Sequence, residues 1–478
     1  MKNVLRVMKS SFSGLIALLL VTALLGGTAA AAGLSPDVPH SLVGMNYKLI
    51  TDITPTGQKV MAVVVEYESN VLANENLKKT YGVSVNLEPI AGVAASGGAA
   101  ERTITAAYTS EYPFPTGNPS SGRYVILELD ADDSAAWTYK IKIEDTTPLE
   151  FRARTDEGAK ATKKIIQARA VPQFYNEKMI YTVEQKGYVK LSNGKTVDKN
   201  VGQVTGATAN VVNRFIDQYE ERTFADKSNS ENKLQYRLYK PAVNKEGQKK
   251  ALVLFLHGSG QVGTDNIAQI ISNKGAVVWP TVEECYVVAP QCPAVFDVMD
   301  AYNAETGKGG GIHWQSKNRR TLLLGIIDEL IAANPTIDTS RIYVQGLSRG
   351  AEGAMYLMLD RPNFFAAAVL MSGREAGTME WIDGQATADK LASLKHMPIW
   401  FFHNKEDNIS PVAGSRINYK LLSEDVGSTV VRYTEFTVTQ PKALAGDNGL
   451  INPNAHNTWD IVYNSPEVKH WLFSQKRK

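Results

Sequence analysis

The chain has 478 residues, 44% of them hydrophobic and 21% charged, an ordinary globular balance with length for more than one domain. Its 51 basic and 49 acidic residues leave a net charge of +2, which gives no reason to expect a nucleic-acid or other polyanion partner. No stretch approaches the ~20 apolar residues of a membrane helix.

Residues 1–32 have the composition of a secretory signal: Lys2, Arg6 and Lys9 precede the apolar run LIALLLVTALLGG, and TAAAAG offers small-residue cleavage registers. No cysteine follows that run to carry a lipid. The expectation is an exported protein without a membrane anchor, in which 48 basic residues face 49 acidic ones.

Residues 33–200 form the first expected domain. KVMAVVVEY, GVSVNLEPI, RTITAAYTS, RYVILELD, WTYKIKIE, KKIIQARAV and MIYTVEQ alternate with period two or are rich in β-branched residues, and turn-forming pieces such as AASGGAA, PFPTGNPSSGR and SNGK separate them. Several short strands of this kind predict a β-sandwich. The two cysteines that staple antibody-type domains are missing, so from the residues an immunoglobulin-like label rests on strand number alone. The turn DADDS at 130–134 reads as a solvated inter-strand turn, with a calcium site as the alternative.

Residues 201–478 form the second expected domain, with strands and helices in alternation. NVVNRFIDQYEERTF (210–224) has apolar residues at helical spacing; strands LQYRLYKP, ALVLFLHG and YVVAP follow, then helix RRTLLLGIIDELIAAN, strand RIYVQG, helix RGAEGAMYLMLD, and strands AAAVLMSG and MPIWFFHN. This alternation predicts a mostly parallel sheet wrapped by helices, with ligands at the carboxyl ends of its strands. Cys285 and Cys292 flank the strand YVVAP, too far apart along an extended chain for a disulfide unless it doubles back at Pro290, so two packed thiols are expected. Their spacing does not fit a zinc site.

The stretch YVQGLSRGAEGAMY places Ser348 between Gly346 and Gly350, just after a strand and just before a helix. That is the context of a nucleophile elbow, where a sharp turn lifts a serine hydroxyl above the sheet and the helix start offers the backbone N–H of Arg349 to a developing oxyanion. A serine needs a base, and the base an orienting carboxylate. Asp407 follows on the loop KEDNISP, with Glu406 beside it as the rival acid, and His456 follows in NPNAHNTWD. The chain order Ser348, Asp407, His456 is the one expected for this fold.

The other histidines are expected to be structural: His40 lies outside this half, His396 precedes a strand, His403 ends one, and His470 sits on a terminal helix. His313 is a possible pocket-wall residue, but it precedes Ser348 and breaks the order. The second oxyanion donor is expected from the glycine loop after LVLFLHG, at the backbone N–H of Ser259, with the His257 imidazole bracing that loop. HGSGQVG lacks the Lys-Ser/Thr of a phosphate loop. About 25 residues join YVVAP to the next helix, longer than most connections, and their polar middle AETGKGGG suits a mobile segment better than an apolar lid. Trp314, at the end of that run, is either a rigid apolar wall of the substrate pocket or a packed core residue.

HGSGQVGTDN, YVVAPQCP, YVQGLSRGAEGAMY, FFHNKEDNISP and the AHNTWD ending together resemble the secreted bacterial esterases of the α/β-hydrolase superfamily that carry an immunoglobulin-like amino-terminal domain, a group often labelled predicted peptidases. The resemblance spans nearly all of the chain after residue 32. It implies an α/β hydrolase preceded by an all-β immunoglobulin-like sandwich, a Ser348, Asp407 and His456 triad, and oxyanion donors at Ser259 and Arg349. The family often has a charged pair after HGSG, where Gln261 and Val262 stand here. No metal or cofactor is implied.

The expected function is cleavage of small-molecule or polymer-linked carboxylic esters through an acyl-enzyme, with short or aromatic acyl groups favoured. A prolyl-oligopeptidase-like peptidase and a non-catalytic polysaccharide-binding protein are the alternatives. The first filters its substrates with a propeller, for which some 160 residues of sandwich are too few; the second has no clear aromatic platform in the β-half. That half is expected to shape the site entrance or to mediate assembly, including oligomer formation.

Overall fold

In the computed structural model, residues 46–477 are described except 73–75, 90, 92–96, 142–148, 156–157, 167–171, 175–178, 243–246, 301–310, 376–385 and 438–454. The expected signal segment, His40 and most of AETGKGGG lie outside the described residues.

The amino-terminal strands build two facing sheets. One runs 211–213, 46–54, 57–66, 124–129, 104–110 across its width, and the other 200–205, 179–185, 81–87, 98–102. Leu49, Val63, Val65 and Leu127 of the first sheet share a core with Val83, Val85, Tyr181 and Val183 of the second. Ala62, Val64 and Ile126 fill a second cluster on the outer face, which explains why the central strand reads as a continuous apolar run rather than an alternating one. The DADDS turn has an internal use: Asp133 accepts from Arg102 Nε at 3.0 Å and from the Thr103 backbone at 2.8 Å, tying two strand ends together.

The expected helix over 210–224 does not form. Val211–Asn213 is a strand pairing parallel with 49–51, Ile216–Gln218 is a 3₁₀ turn, and Tyr219–Asp226 is a strand. Cross-strand contacts override the helical spacing: Tyr219 lies opposite Tyr239 with ring centroids 5.6 Å apart, and the Tyr219 hydroxyl donates to the Ala276 carbonyl at 2.8 Å. The pairing of the amino-terminal half therefore continues past residue 200 to Asn213.

The carboxy-terminal half is built on eight strands, here β1 (Tyr219–Asp226), β2 (Asn229–Tyr239), β3 (Lys250–Leu256), β4 (Tyr286–Pro290), β5 (Ile337–Leu347), β6 (Ala367–Met371), β7 (Ile399–Asn404) and β8 (Val431–Phe436). Across the sheet the order is 1-2-4-3-5-6-7-8. The β1–β2 and β2–β4 pairs are antiparallel and the rest parallel. In β3, Leu252, Leu254 and Leu256 face one core and Ala251, Val253 and Phe255 the other. Both faces are covered, each fully buried Leu or Val contributing about 1.5–3 kcal/mol. Helices α1 (Lys317–Ala333) and α2 (Arg349–Asp360) supply the first face, α4 (Pro466–Ser474) the second, and the short α3 (Ala413–Lys420) follows β7.

Ile53 and Tyr139 from the sandwich belong to the same buried cluster as Tyr219, Val277 and Trp279 of the hydrolase half, with Trp137 packed against it. Gln58 donates to the Asn213 side chain at 2.6 Å at the junction. Cys285 and Cys292 are unpaired and buried, as their spacing predicts, and burial pushes both thiols above their ordinary range.

Candidate active site

Ser348 stands between the end of β5 and the start of α2 with φ 52° and ψ −120°, a left-handed backbone that a serine rarely adopts. The two flanking glycines make this turn possible by close approach. A Cβ on Gly346 would meet the Gly350 carbonyl carbon at 2.4 Å, and one on Gly350 would meet the Leu256 oxygen at 1.9 Å. The turn is pinned by the Ser348 N–H donating to the Met371 carbonyl of β6 at 2.8 Å.

His456 Nε2 lies 3.0 Å from Ser348 Oγ, and His456 Nδ1 lies 2.7 Å from Asp407 Oδ2. The carboxylate can only accept, so Nδ1 carries the proton and Nε2 offers a lone pair to the serine hydroxyl. The loop bearing His456 is held by Ser372 Oγ, which donates to the His456 carbonyl at 2.8 Å and receives the Thr458 hydroxyl at 2.8 Å. Trp459 sets its ring edge-on to the imidazole, with centroids 5.3 Å apart.

Asp407 is enclosed. Its Oδ1 accepts from the backbone N–H groups of Ile409 and Ser410, both at 2.9 Å, and its Oδ2 is shared between His456 and His403 Nε2 at 3.1 Å. Burial alone would raise its proton affinity, but the hydrogen bonds from His403 and His456, with the Ser410 N–H, hold the carboxyl well below the usual range. Glu406 points away: its side chain is 41% exposed and lies 3.5 Å from Lys405.

The glycine loop after β3 runs against the elbow, since a Cβ on Gly258 would lie 3.4 Å from Ser348 Cβ. Ser259 opens the short 3₁₀ turn that follows. His257 braces this loop as its position suggests: Nδ1 donates to the Gly258 carbonyl at 2.6 Å and Nε2 accepts from the Cys292 N–H at 2.9 Å. Burial, with Arg319 nearby, pushes its imidazole down to about 4, so it stays neutral. The Arg349 side chain is turned onto Glu352 at 2.9 Å.

The pocket-wall expectation for Trp314 is corrected. The side chain is fully buried, its Nε1 donates to the His257 carbonyl at 2.9 Å, and its ring meets His257 edge-on at 5.0 Å. Helix α2 lies so close that a Cβ on Gly353 would come within 2.2 Å of Trp314 Cβ. It supports the glycine loop from beneath. His313, also weighed as a pocket residue, is buried with φ 47°, and its N–H donates to the Val295 carbonyl at 2.7 Å, closing the base of the long loop together with the Phe296–Ile312 bridge. His396 and His470 are exposed. The sequence reading gives His403 only a structural place and does not single out Ser372, yet both contact the site. For His403 the four-residue step to Asp407 from the end of a strand was the available signal; Ser372 had none.

The sheet order, the elbow and the hydrogen-bonded serine define an α/β hydrolase of the serine-hydrolase class. Two family models match the chain, one described as an esterase Ig-like N-terminal domain over residues 46–198 and one as phospholipase/carboxylesterase over residues 239–441. The chain thus joins an immunoglobulin-like amino-terminal domain of the kind found in esterases to an α/β-hydrolase domain of the carboxylesterase kind, and it is a serine hydrolase of the esterase type. Among solved structures it is similar to a thermostable esterase, at 28% identity and a TM-score of 0.67 over 90% of this chain and 100% of that one. A ferulic acid esterase from Anaeromyces mucronatus matches at 12% identity and a TM-score of 0.36 over 53% of this chain and 91% of the other. A fluorophosphonate-binding serine hydrolase from Staphylococcus aureus matches at 14% and 0.36, over 54% and 98%. No curated protein matches the chain.

Proposed function

We propose that Ser348 is the nucleophile of an exported carboxylesterase, with His456 as general base and acid and Asp407 as its orienting carboxylate. The observation that carries this reading is the continuous chain of contacts from Ser348 Oγ through His456 to Asp407, at 3.0 and 2.7 Å, on a strained elbow. As Oγ attacks the ester carbonyl, its proton passes to Nε2. The imidazolium is stabilised by Asp407 and returns the proton to the departing alcohol, leaving an acyl-serine; water then repeats the sequence in reverse roles. Backbone N–H groups of Ser259 and Arg349 are the proposed donors to the oxyanion, supported by the glycine loop's contact with the elbow and by the helix start at Arg349. Stoichiometric labelling by a fluorophosphonate, lost in the serine variant, is the direct test; labelling elsewhere would overturn the assignment.

The proposed substrates are soluble esters with short or aromatic acyl groups. Ser348 and His456 are only 7% and 6% exposed, a recessed arrangement that suits single molecules rather than an oil surface. Between β4 and α1 the large hydrophobic side chains exposed among the described residues are Val298 and Met299, and the sequence of that connection is polar and glycine-rich in its middle, AETGKGGG. Initial rates on p-nitrophenyl esters are expected to fall beyond medium chain length, with no jump when the substrate forms an emulsion. Rates that rise through long chains and jump at an interface would identify a lipase, and efficient cleavage of unactivated peptides a peptidase.

Export is proposed from the basic start and apolar run of residues 1–32. Mass measurement of protein recovered from the culture medium is expected to show an amino terminus near residue 33; intact residues 1–32 would refute it.

A further inference from the structure

His403 is the penultimate residue of β7, with its side chain fully buried, as is that of Asp407. Its Nε2 faces two acceptors, the Ser410 carbonyl at 2.8 Å and Asp407 Oδ2 at 3.1 Å, so Nε2 carries the hydrogen. Its Nδ1 lies 2.8 Å from the Ser415 hydroxyl of α3, which as a donor to that nitrogen fixes the tautomer. A buried histidine needs one acceptor for this hydrogen, and the Ser410 carbonyl already supplies it. The approach to Oδ2 is additional, and it brings the carboxylate to four N–H donors, the number its lone pairs can take.

We propose that His403 is a positioning residue for the acid of the site: by sharing Oδ2 of Asp407 with His456, it aims that oxygen and limits how tightly it holds the imidazolium. The inference rests on the reading of Ser348, His456 and Asp407 given above. Charged and titratable groups flank His403 on the neighbouring elements. Asp407 faces it from the loop, with His456 beyond. Glu435 is its cross-strand neighbour on β8, and the Glu435 carboxylate is held by Arg416 of α3 at 2.6 and 2.8 Å. Asp407 is thus the one carboxylate among these that the His403 N–H contacts.

Without this donor, Asp407 gains freedom to turn and Oδ2 attracts the imidazolium proton more strongly. Turning lowers kcat; the stronger attraction keeps His456 protonated to higher pH, so the acid limb of kcat/KM moves upward. Substrate contacts are untouched and KM holds.

His403→Phe removes the N–H in a similar volume, whereas His403→Gln can return an N–H to the position of Nε2. The expected result for His403→Phe is a kcat about tenfold to a hundredfold lower, KM within about twofold, and an acid limb raised by about half a pH unit. His403→Gln is expected to recover most of both. Equal behaviour of the two variants in kcat and in the acid limb, or a limb unmoved in both, overturns the proposal. Should the phenylalanine variant fail to fold, Ser415→Ala carries the test by releasing the tautomer: kcat is expected to fall severalfold with the limb moving the same way, and no change in either overturns the proposal. Fluorophosphonate labelling of the wild type and of Ser348→Ala accompanies these assays. A wild type that does not label at Ser348 refutes the reading of the site; a labelled wild type with an indifferent His403 refutes only the positioning role.

Discussion

Ser348→Ala is expected to keep the fold and lose ester hydrolysis by about five to six orders of magnitude in kcat, leaving only what binding and oxyanion contacts supply. The substitution removes one oxygen whose recorded partner is His456 Nε2. The backbone bonds that hold the elbow, from the Ser348 N–H to Met371 and from Ala351 and Glu352 to the Ser348 carbonyl, remain available to alanine. An unchanged near-ultraviolet circular dichroism spectrum and melting temperature should therefore accompany the loss. A variant retaining a tenth of wild-type turnover, after purification that excludes contaminating enzyme, would sink the nucleophile assignment.

The second large effect is expected at Asp407. Asparagine offers one acceptor oxygen where the native side chain offers two, yet N–H donors converge on both sides, from Ile409 and Ser410 on one and from His456 and His403 on the other. If the amide nitrogen faces the imidazole, it imposes the wrong tautomer and leaves Nε2 without its lone pair. The expected loss in kcat is about three to four orders of magnitude, smaller than for the serine because the base itself survives. Glu406→Gln, at an exposed carboxylate paired with Lys405, is expected to stay within about twofold of wild type. The reverse ranking of the two variants would make Glu406 the acid. Stability carries the same signature. A carboxyl depressed in the folded state stabilises it fully above the unfolded value of about 3.9, and that stabilisation is lost as the pH falls further, through the folded value. The melting temperatures of wild type and Asp407→Asn should therefore converge below about pH 4.

The parts of this site legible in the sequence were those in which a local constraint leaves few residue choices. Two glycines around Ser348 are required because backbone passes within van der Waals distance on both sides, and that requirement is visible as a spacing. Chain order then set aside the histidines that precede Ser348, His40, His257 and His313, and placed the acid on the loop KEDNISP. Orientation was not legible: Glu406 and Asp407 are adjacent, and only the fold of residues 404–410 turns one inward. Trp314 was ambiguous for a related reason. An indole at the end of a long loop has the same composition whether it lines a cleft or fills the core, and its bond to the His257 carbonyl depends on a loop far away in sequence. The error over 210–224 has a different origin. VVNRFI and YEERTF carry apolar residues at spacings compatible with either period, and the deciding partners, residues 49–51 for one segment and β2 for the other, are not local. β8 went unremarked because only Phe436 of its six residues is buried, so its pattern is faint.

The apolar seam joining Ile53 and Tyr139 to Tyr219, Val277 and Trp279 changes what kind of accessory the sandwich is. A module hung on a tether can be traded between enzymes by recombination at the linker, because neither partner notices the loss. Here each half would emerge from such an exchange with a greasy face turned to water, and the parallel pairing of 49–51 with 211–213 would be cut as well. The two halves are therefore bound to be inherited together, and drift in one side of the seam has to be matched by compensating change in the other.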